Sequence, residues 1–190
     1  MWIRRGGVVA LPTDTLYGLA CDPFRADAVA RVFAVKGRAA EQALPLIAAD
    51  AAQVAAHLGT MPRLGTRLAR QFWPGPLTLV VAAPVSLARE VTGGTGTVGV
   101  RVPDNEVARA IAAACGRPIT ATSANVSGEP ASFDPDEVER ALGDHIDLLI
   151  DTGPTRGGAP STVVDVTSDE PRLVRAGAIA WDEIQTCLRE

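Results

Sequence analysis

Lysine is all but missing from this chain. Of its 18 basic residues only Lys36 is a lysine, and every other one is arginine. Histidine is nearly as scarce, with His57 and His145 alone and neither beside a second metal ligand at short spacing. That argues against a structural zinc site. Cysteine is limited to Cys21, Cys115 and Cys187, far apart and without a CxxC pair, which fits a reduced cytoplasmic compartment rather than a disulfide framework. Aromatics make up only 4% of the residues, so the core must be built from Ala, Val, Leu and Ile. No apolar run approaches the roughly 18 residues of a membrane span, and the first strand-like run, Gly7–Leu11, is too short for a signal peptide. The expectation is a soluble cytoplasmic protein with no membrane partner. A formal charge of −4 disfavours a surface that binds nucleic acid chiefly through phosphates, so weak or no direct nucleic-acid binding is expected. The phosphate loop GxxxxGK[ST] occurs nowhere.

What is present is ordinary globular composition, 47% hydrophobic and 21% charged, in a length that suits one domain over residues 1–190. The solitary lysine sits in an informative phase. Val29, Val32, Phe33 and Lys36 stand at i, i+3, i+4 and i+7, so the lysine continues the apolar face of a helix, and Gly37 follows as a left-handed cap. A helix-end cation favoured by the macrodipole is the plain reading. An anion site shared with Arg38 is the other, lysine acting as a point charge and arginine as a fork.

Short apolar runs at Gly7–Leu11, Pro45–Ala48, Leu77–Ala83, Val98–Val102, Pro118–Ala121, Leu148–Ile150, Ser161–Val166 and Arg172–Val174 read as strands. Asp50 and Gln53 open a helix to about His57, Met61–Phe72 forms another, and Asp104 or Asn105 caps a helix that Gly116 ends. Asp134-Pro-Asp-Glu137 starts a further helix and Trp181–Leu188 a terminal one. Together these segments describe one α/β domain of short strands interleaved with helices. The strand ends collect Thr13, Thr15, Arg101, Ser123, Asn125, Ser161 and Arg175. Open α/β sheets place ligands at such ends, and with Lys36 and Arg38 the set favours a pocket for a multiply charged anion. No nucleophile and base lie together, so covalent Ser–His catalysis has weak support. Positioning and charge neutralisation, as in phosphoryl or nucleotidyl transfer, need no such pair.

The blocks PTDTLYGLA, VKGR followed by LPL, WPGPLTLV, VGVRVPD, ITATSANVSG, STVVD and LVRAG occur in one order across nearly the whole chain. In that set the chain resembles the YrdC-like L-threonylcarbamoyladenylate synthases. The resemblance implies a single YrdC-like domain in its short form: a twisted mixed sheet with flanking helices and a large concave cavity. It implies a nucleotidyltransferase that makes threonylcarbamoyl-AMP and pyrophosphate from L-threonine, bicarbonate and ATP, for modification of the tRNA adenosine beside the anticodon. Transient contact with the tRNA threonylcarbamoyl-transferase machinery follows from that role. The family's tetrad falls on Lys36, Arg38, Ser123 and Asn125, the expected catalytic and ATP-side residues. Thr97 and Arg175 match nucleotide-contacting positions, and Thr15, Arg101, Thr122 and Ser161 match threonine-contacting ones, Arg101 being the natural partner of a carboxylate. Mg2+ is expected to accompany ATP, most of its ligands coming from the phosphates. Ala39 and Ala176 stand where the family often carries proline. A same-fold paralogue acting as an RNA-binding or ribosome-maturation module is the alternative reading. A carbamoyl-adenylate chemistry as in hydrogenase maturation is a third, and normally comes in a much larger chain.

Overall fold

The first strand explains why its sequence is apolar at every position. Val8 and Ala10 enter one buried cluster and Val9 and Leu11 another, so the strand is covered on both faces. A computed structural model describes residues 1–37 and 43–189 of the chain. The chain runs β1 (Val9–Pro12), β2 (Tyr17–Ala20), α1 (Ala26–Lys36), β3 (Leu46–Ile47), α2 (Ala51–Leu58), α3 (Arg63–Phe72), β4 (Leu77–Ala82), β5 (Thr97–Arg101), α4 (Glu106–Cys115), β6 (Ile119–Thr120), β7 (Thr122–Ser123), α5 (Pro135–Leu142), β8 (Leu148–Leu149), β9 (Thr162–Asp165), β10 (Arg172–Arg175) and α6 (Trp181–Arg189). A 3-10 turn, Ile3–Arg5, precedes β1, and Gly6 closes it in the left-handed region.

The expected single sheet is two mixed sheets. One has the order β7-β2-β1-β8 and the other β10-β9-β4-β5-β3-β6. Ten strands among the described residues stand against the eight apolar runs read as strands, and the six α-helices fall where six helical segments were read. Two causes account for the extra strands. Pro12-Thr-Asp-Thr-Leu-Tyr-Gly18 is the tip of a hairpin, so Tyr17–Ala20 folds back antiparallel on β1 with Pro12 opposite Tyr17. The run through Pro118–Ser123 also changes sheets. Ile119 and Thr120 pair with β3, and two residues later Thr122 and Ser123 pair with β2. Ala121 sits at the crossing, its N–H donating to Pro45 O at 2.8 Å. This short segment ties the two sheets together.

The helices form where the apolar spacing places them. On α1 the residues Ala28, Val29, Val32, Phe33 and Lys36 are buried, and Gly37, at φ 59°, returns its N–H to Ala34 O and Phe33 O. Burying each of those Val and Phe side chains contributes about 1.5–3 kcal/mol. Asp50 caps α2 by accepting from the Gln53 N–H at 2.7 Å, while the Gln53 side chain accepts from Ala49 N–H. Asn105, not Asp104, caps α4. Asp134 caps α5 through the Asp136 N–H, and Glu137 binds the Ser132 hydroxyl instead of completing a reciprocal box. Among the described residues no helix is long and apolar enough to cross a membrane.

Candidate functional site

The two sheets enclose a cleft of about 450 Å³. One wall comes from the hairpin tip, Thr13–Gly18, and its neighbours Thr122 and Ser123. The opposite wall carries Thr78, Gly99, Arg101, Ser161 and Arg175. Pairing explains why residues so distant in sequence converge. Gly18 lies opposite Ser123, Ile47 beside Arg101, and Val163 opposite Arg175. The hydroxyl residues expected at strand ends, Thr13, Thr15, Ser123 and Ser161, therefore line one space.

Lys36 approaches this space from behind β7. It is only 2% exposed, and its Nζ donates to Ser123 O at 2.7 Å, Asn125 O at 3.0 Å and Asn125 Oδ1 at 3.1 Å, with Ser123 Oγ at 3.4 Å. The Ser123 hydroxyl donates to Asn125 Oδ1 at 2.5 Å, and the Asn125 amide donates to Val126 O and Glu129 O. The Ser127 N–H in turn donates to Lys36 O at 2.8 Å. Lysine, serine and asparagine are thus one bonded unit at the end of α1, and Lys36 is buried with the apolar face that its spacing continues. Charge-assisted bonds of this kind are about twice as strong as neutral ones.

Arg101 is buried at 8% exposure and forms an ion pair with Asp14. The resemblance pointed to a ligand carboxylate as its partner, and the protein supplies one of its own. Arg175 reaches Ser161 O at 2.7 Å and Ser161 Oγ at 3.1 Å, and Ser161 Oγ shares a 2.8 Å bond with Thr78 Oγ1. Burial lowers the Arg175 pKa, and the neighbouring Arg101 lowers it further. An anion entering the cleft would relieve both. Gly177 secures this corner by close packing, because a Cβ there would lie 2.3 Å from Pro160 O. Thr15 lines the cleft, and its carbonyl accepts from the Thr155 hydroxyl at 2.7 Å.

Lys36, Thr97 and Asn125 are not among the cleft's lining residues. Thr97 opens β5 and shares a 3.0 Å bond with Thr95 Oγ1. Arg38 lies outside the described residues. Asp14 was missed as a site residue although its motif was noted, since a carboxylate inside a turn-rich tip looks like self-capping. Thr78 was missed because it alternates with apolar residues inside a strong strand. Tyr17, which also lines the cleft, donates to Gly153 O at 2.8 Å and so pins the following loop.

No cysteine is among the residues that line the cleft. Burial pushes the Cys21 thiol up to about 12 and the Cys115 thiol up to about 11. His57 packs against Phe24 and His145 ends a 3-10 turn, neither of them in the cleft's wall. Among the described residues no group of three or more His, Cys, Asp or Glu side chains could hold a metal ion. A second cavity of about 610 Å³ is lined by residues of α2, α3 and α4, with several alanines beside Arg70 and Arg109.

The fold and the cleft define a class: a mixed α/β protein with two sheets around a cleft lined by hydroxyls and two guanidiniums. The chain belongs to the Sua5/YciO/YrdC family, whose model, described as telomere recombination, matches residues 1–177. It is 40% identical over 189 residues to the threonylcarbamoyl-AMP synthase of Pyrococcus abyssi, covering 100% of this chain and 56% of that one. To the threonylcarbamoyl-AMP synthase of Bacillus subtilis it is 37% identical over 187 residues, covering 98% and 54%. The chain therefore spans about half the length of these two curated relatives. The crystal structure of P. abyssi Sua5 complexed with L-threonine superposes with a TM-score of 0.93 at 40% identity, covering 98% of this chain and 55% of that one.

Proposed function

We propose that this chain forms L-threonylcarbamoyladenylate and pyrophosphate from L-threonine, bicarbonate and ATP. The observation that carries the reading is the convergence, on one cleft, of Arg101, Arg175 and the hydroxyls of Thr15, Thr122, Ser123 and Ser161, with the Lys36 unit behind Ser123. The names of the relatives point the same way. In this reading Lys36, Arg38, Ser123 and Asn125 form the catalytic ATP-side group, with Thr97 and Arg175 toward the nucleotide. Thr15, Arg101, Thr122 and Ser161 take threonine.

The chemistry requires bringing anions together. The threonine amine takes up bicarbonate with loss of water, and the resulting N-carboxylate attacks the α-phosphorus as pyrophosphate leaves. Fixed cations lower the repulsion between carboxylate and triphosphate, and preorganised donors do so without reorganising during the reaction. Mg2+ would arrive with the nucleotide, its ligands mainly phosphate oxygens and water. The product would pass to a tRNA-modifying transferase in the same compartment, the cytoplasm.

Pyrophosphate release, measured with each substrate omitted in turn, tests the proposal. The expected result is release only when threonine, bicarbonate and ATP are all present. ATP turnover indifferent to threonine would sink it.

A further inference from the structure

Arg101 poses a problem that the substrate alone does not solve. A guanidinium buried to this degree is costly unless a countercharge stays with it, and a ligand is absent for part of every turnover. Asp14 is the permanent partner. Its side chain is 7% exposed, its Oδ1 meets Arg101 Nη1, and its Oδ2 accepts from the Asp104 N–H at 3.3 Å. Nε and Nη2 of Arg101 make no hydrogen bond to the protein among the described residues, although the side chain lines the cleft. One edge of the fork is therefore committed and the other is available.

The hairpin tip is built to present Asp14. The Thr13 hydroxyl donates to Leu16 O at 2.7 Å and accepts from the Thr15 N–H at 3.2 Å, closing the turn on itself. The Thr155 hydroxyl then ties Thr15 O to the following loop. Asp14 itself is not in the cleft's lining, so it acts from behind Arg101. Charge makes the arrangement consequential. With Arg175 in the same cleft, an unneutralised Arg101 would give two bare guanidiniums, a good seat for an additional phosphate group.

We infer that Asp14 is a positioning and specificity-determining residue: it holds one edge of Arg101 and cancels its charge, so that the open edge selects an amino acid's carboxylate rather than another phosphate. The inference rests on the proposed threonine reaction for its substrate and on geometry for its charge balance. The test uses the full chain with Asp14→Asn, Arg101→Gln and the double substitution, reading pyrophosphate release and, by calorimetry, binding of inorganic pyrophosphate. Asp14→Asn is expected to raise KM for L-threonine about tenfold, with kcat and KM for ATP changed less than about threefold. Pyrophosphate should bind that variant roughly fivefold more tightly. A purely structural role would weaken every ligand together. Because Asp14 acts through Arg101, adding Asp14→Asn to Arg101→Gln should leave the threonine KM where Arg101→Gln alone puts it. The double variant, with no charge left unpaired, also decides the matter if Asp14→Asn alone does not fold. An unchanged or lower threonine KM in Asp14→Asn overturns the inference. So does unchanged pyrophosphate affinity, or a double variant worse than Arg101→Gln. If the unaltered protein ignores threonine, the functional reading fails instead, and pyrophosphate binding still tests the role of Asp14.

Discussion

Two cavities among the described residues differ more in lining than in size. The smaller, about 450 Å³, lies between the sheets and is walled by hydroxyls and two guanidiniums. The larger, about 610 Å³, lies between helices and is floored by alanine side chains such as Ala51, Ala52 and Ala55. Volume alone would favour the larger, and convergent polar groups favour the cleft. Binding sites are marked by a few convergent polar groups, and convergence requires elements that meet end to end. Strand ends and a sheet-to-sheet crossing supply that in the cleft. The helix-lined cavity sets Asp50, Thr60, Thr66, Arg70 and Arg109 among alanines, Met61 and Trp73.

Three substitutions would break or sharpen this contrast. Lys36→Met keeps the apolar stem while deleting the ammonium that binds Ser123 and Asn125. Pyrophosphate release should fall by about three orders of magnitude, the scale of losing a preorganised charge at the reacting phosphate. Near-normal turnover would return Lys36 to a helix-end role. Arg175→Gln removes the guanidinium that leans on Ser161 and should raise KM for ATP roughly tenfold, consistent with losing one charge-assisted contact. A threonine KM that rises instead would move Arg175 to the other end of the cleft. Ala55→Leu extends a side chain into the larger cavity. Turnover should stay within about twofold and stability within about 0.5 kcal/mol, as for a surface substitution away from any site. A strong effect there would mean that the helix-lined cavity takes part in function.

Legibility in the sequence varied with the range of the cause. The helix carrying Lys36 was readable because spacing, burial and a glycine cap are all local, and the structure agrees residue for residue from Val29 to Gly37. The caps by Asp50 and Asp134 were readable for the same reason. The hairpin at Thr13–Leu16 was read as a strand end, since self-bonding Thr and Asp side chains look alike in a terminus and in a tight tip. The division into two sheets was invisible, because Pro118–Ala121 reads as one strand and nothing local shows that Thr122 and Ser123 pair with the other sheet. Thr97 matched its motif, yet what it touches here is Thr95.

The sequence by itself determined which residues are chemically exceptional: one lysine on an apolar helix face, hydroxyls gathered after short buried strands, and arginines where apolar residues were due. Motif order placed them in a family. Only the tertiary structure decided which of them meet. It put the Ser123 and Asn125 acceptors around the Lys36 ammonium, joined Asp14 to Arg101 across 87 residues of chain, and left Arg175 against Ser161. Spacing along a chain fixes a face of a helix or strand. Contacts between strands from different sheets depend on register and crossing, which are set by packing of the whole core.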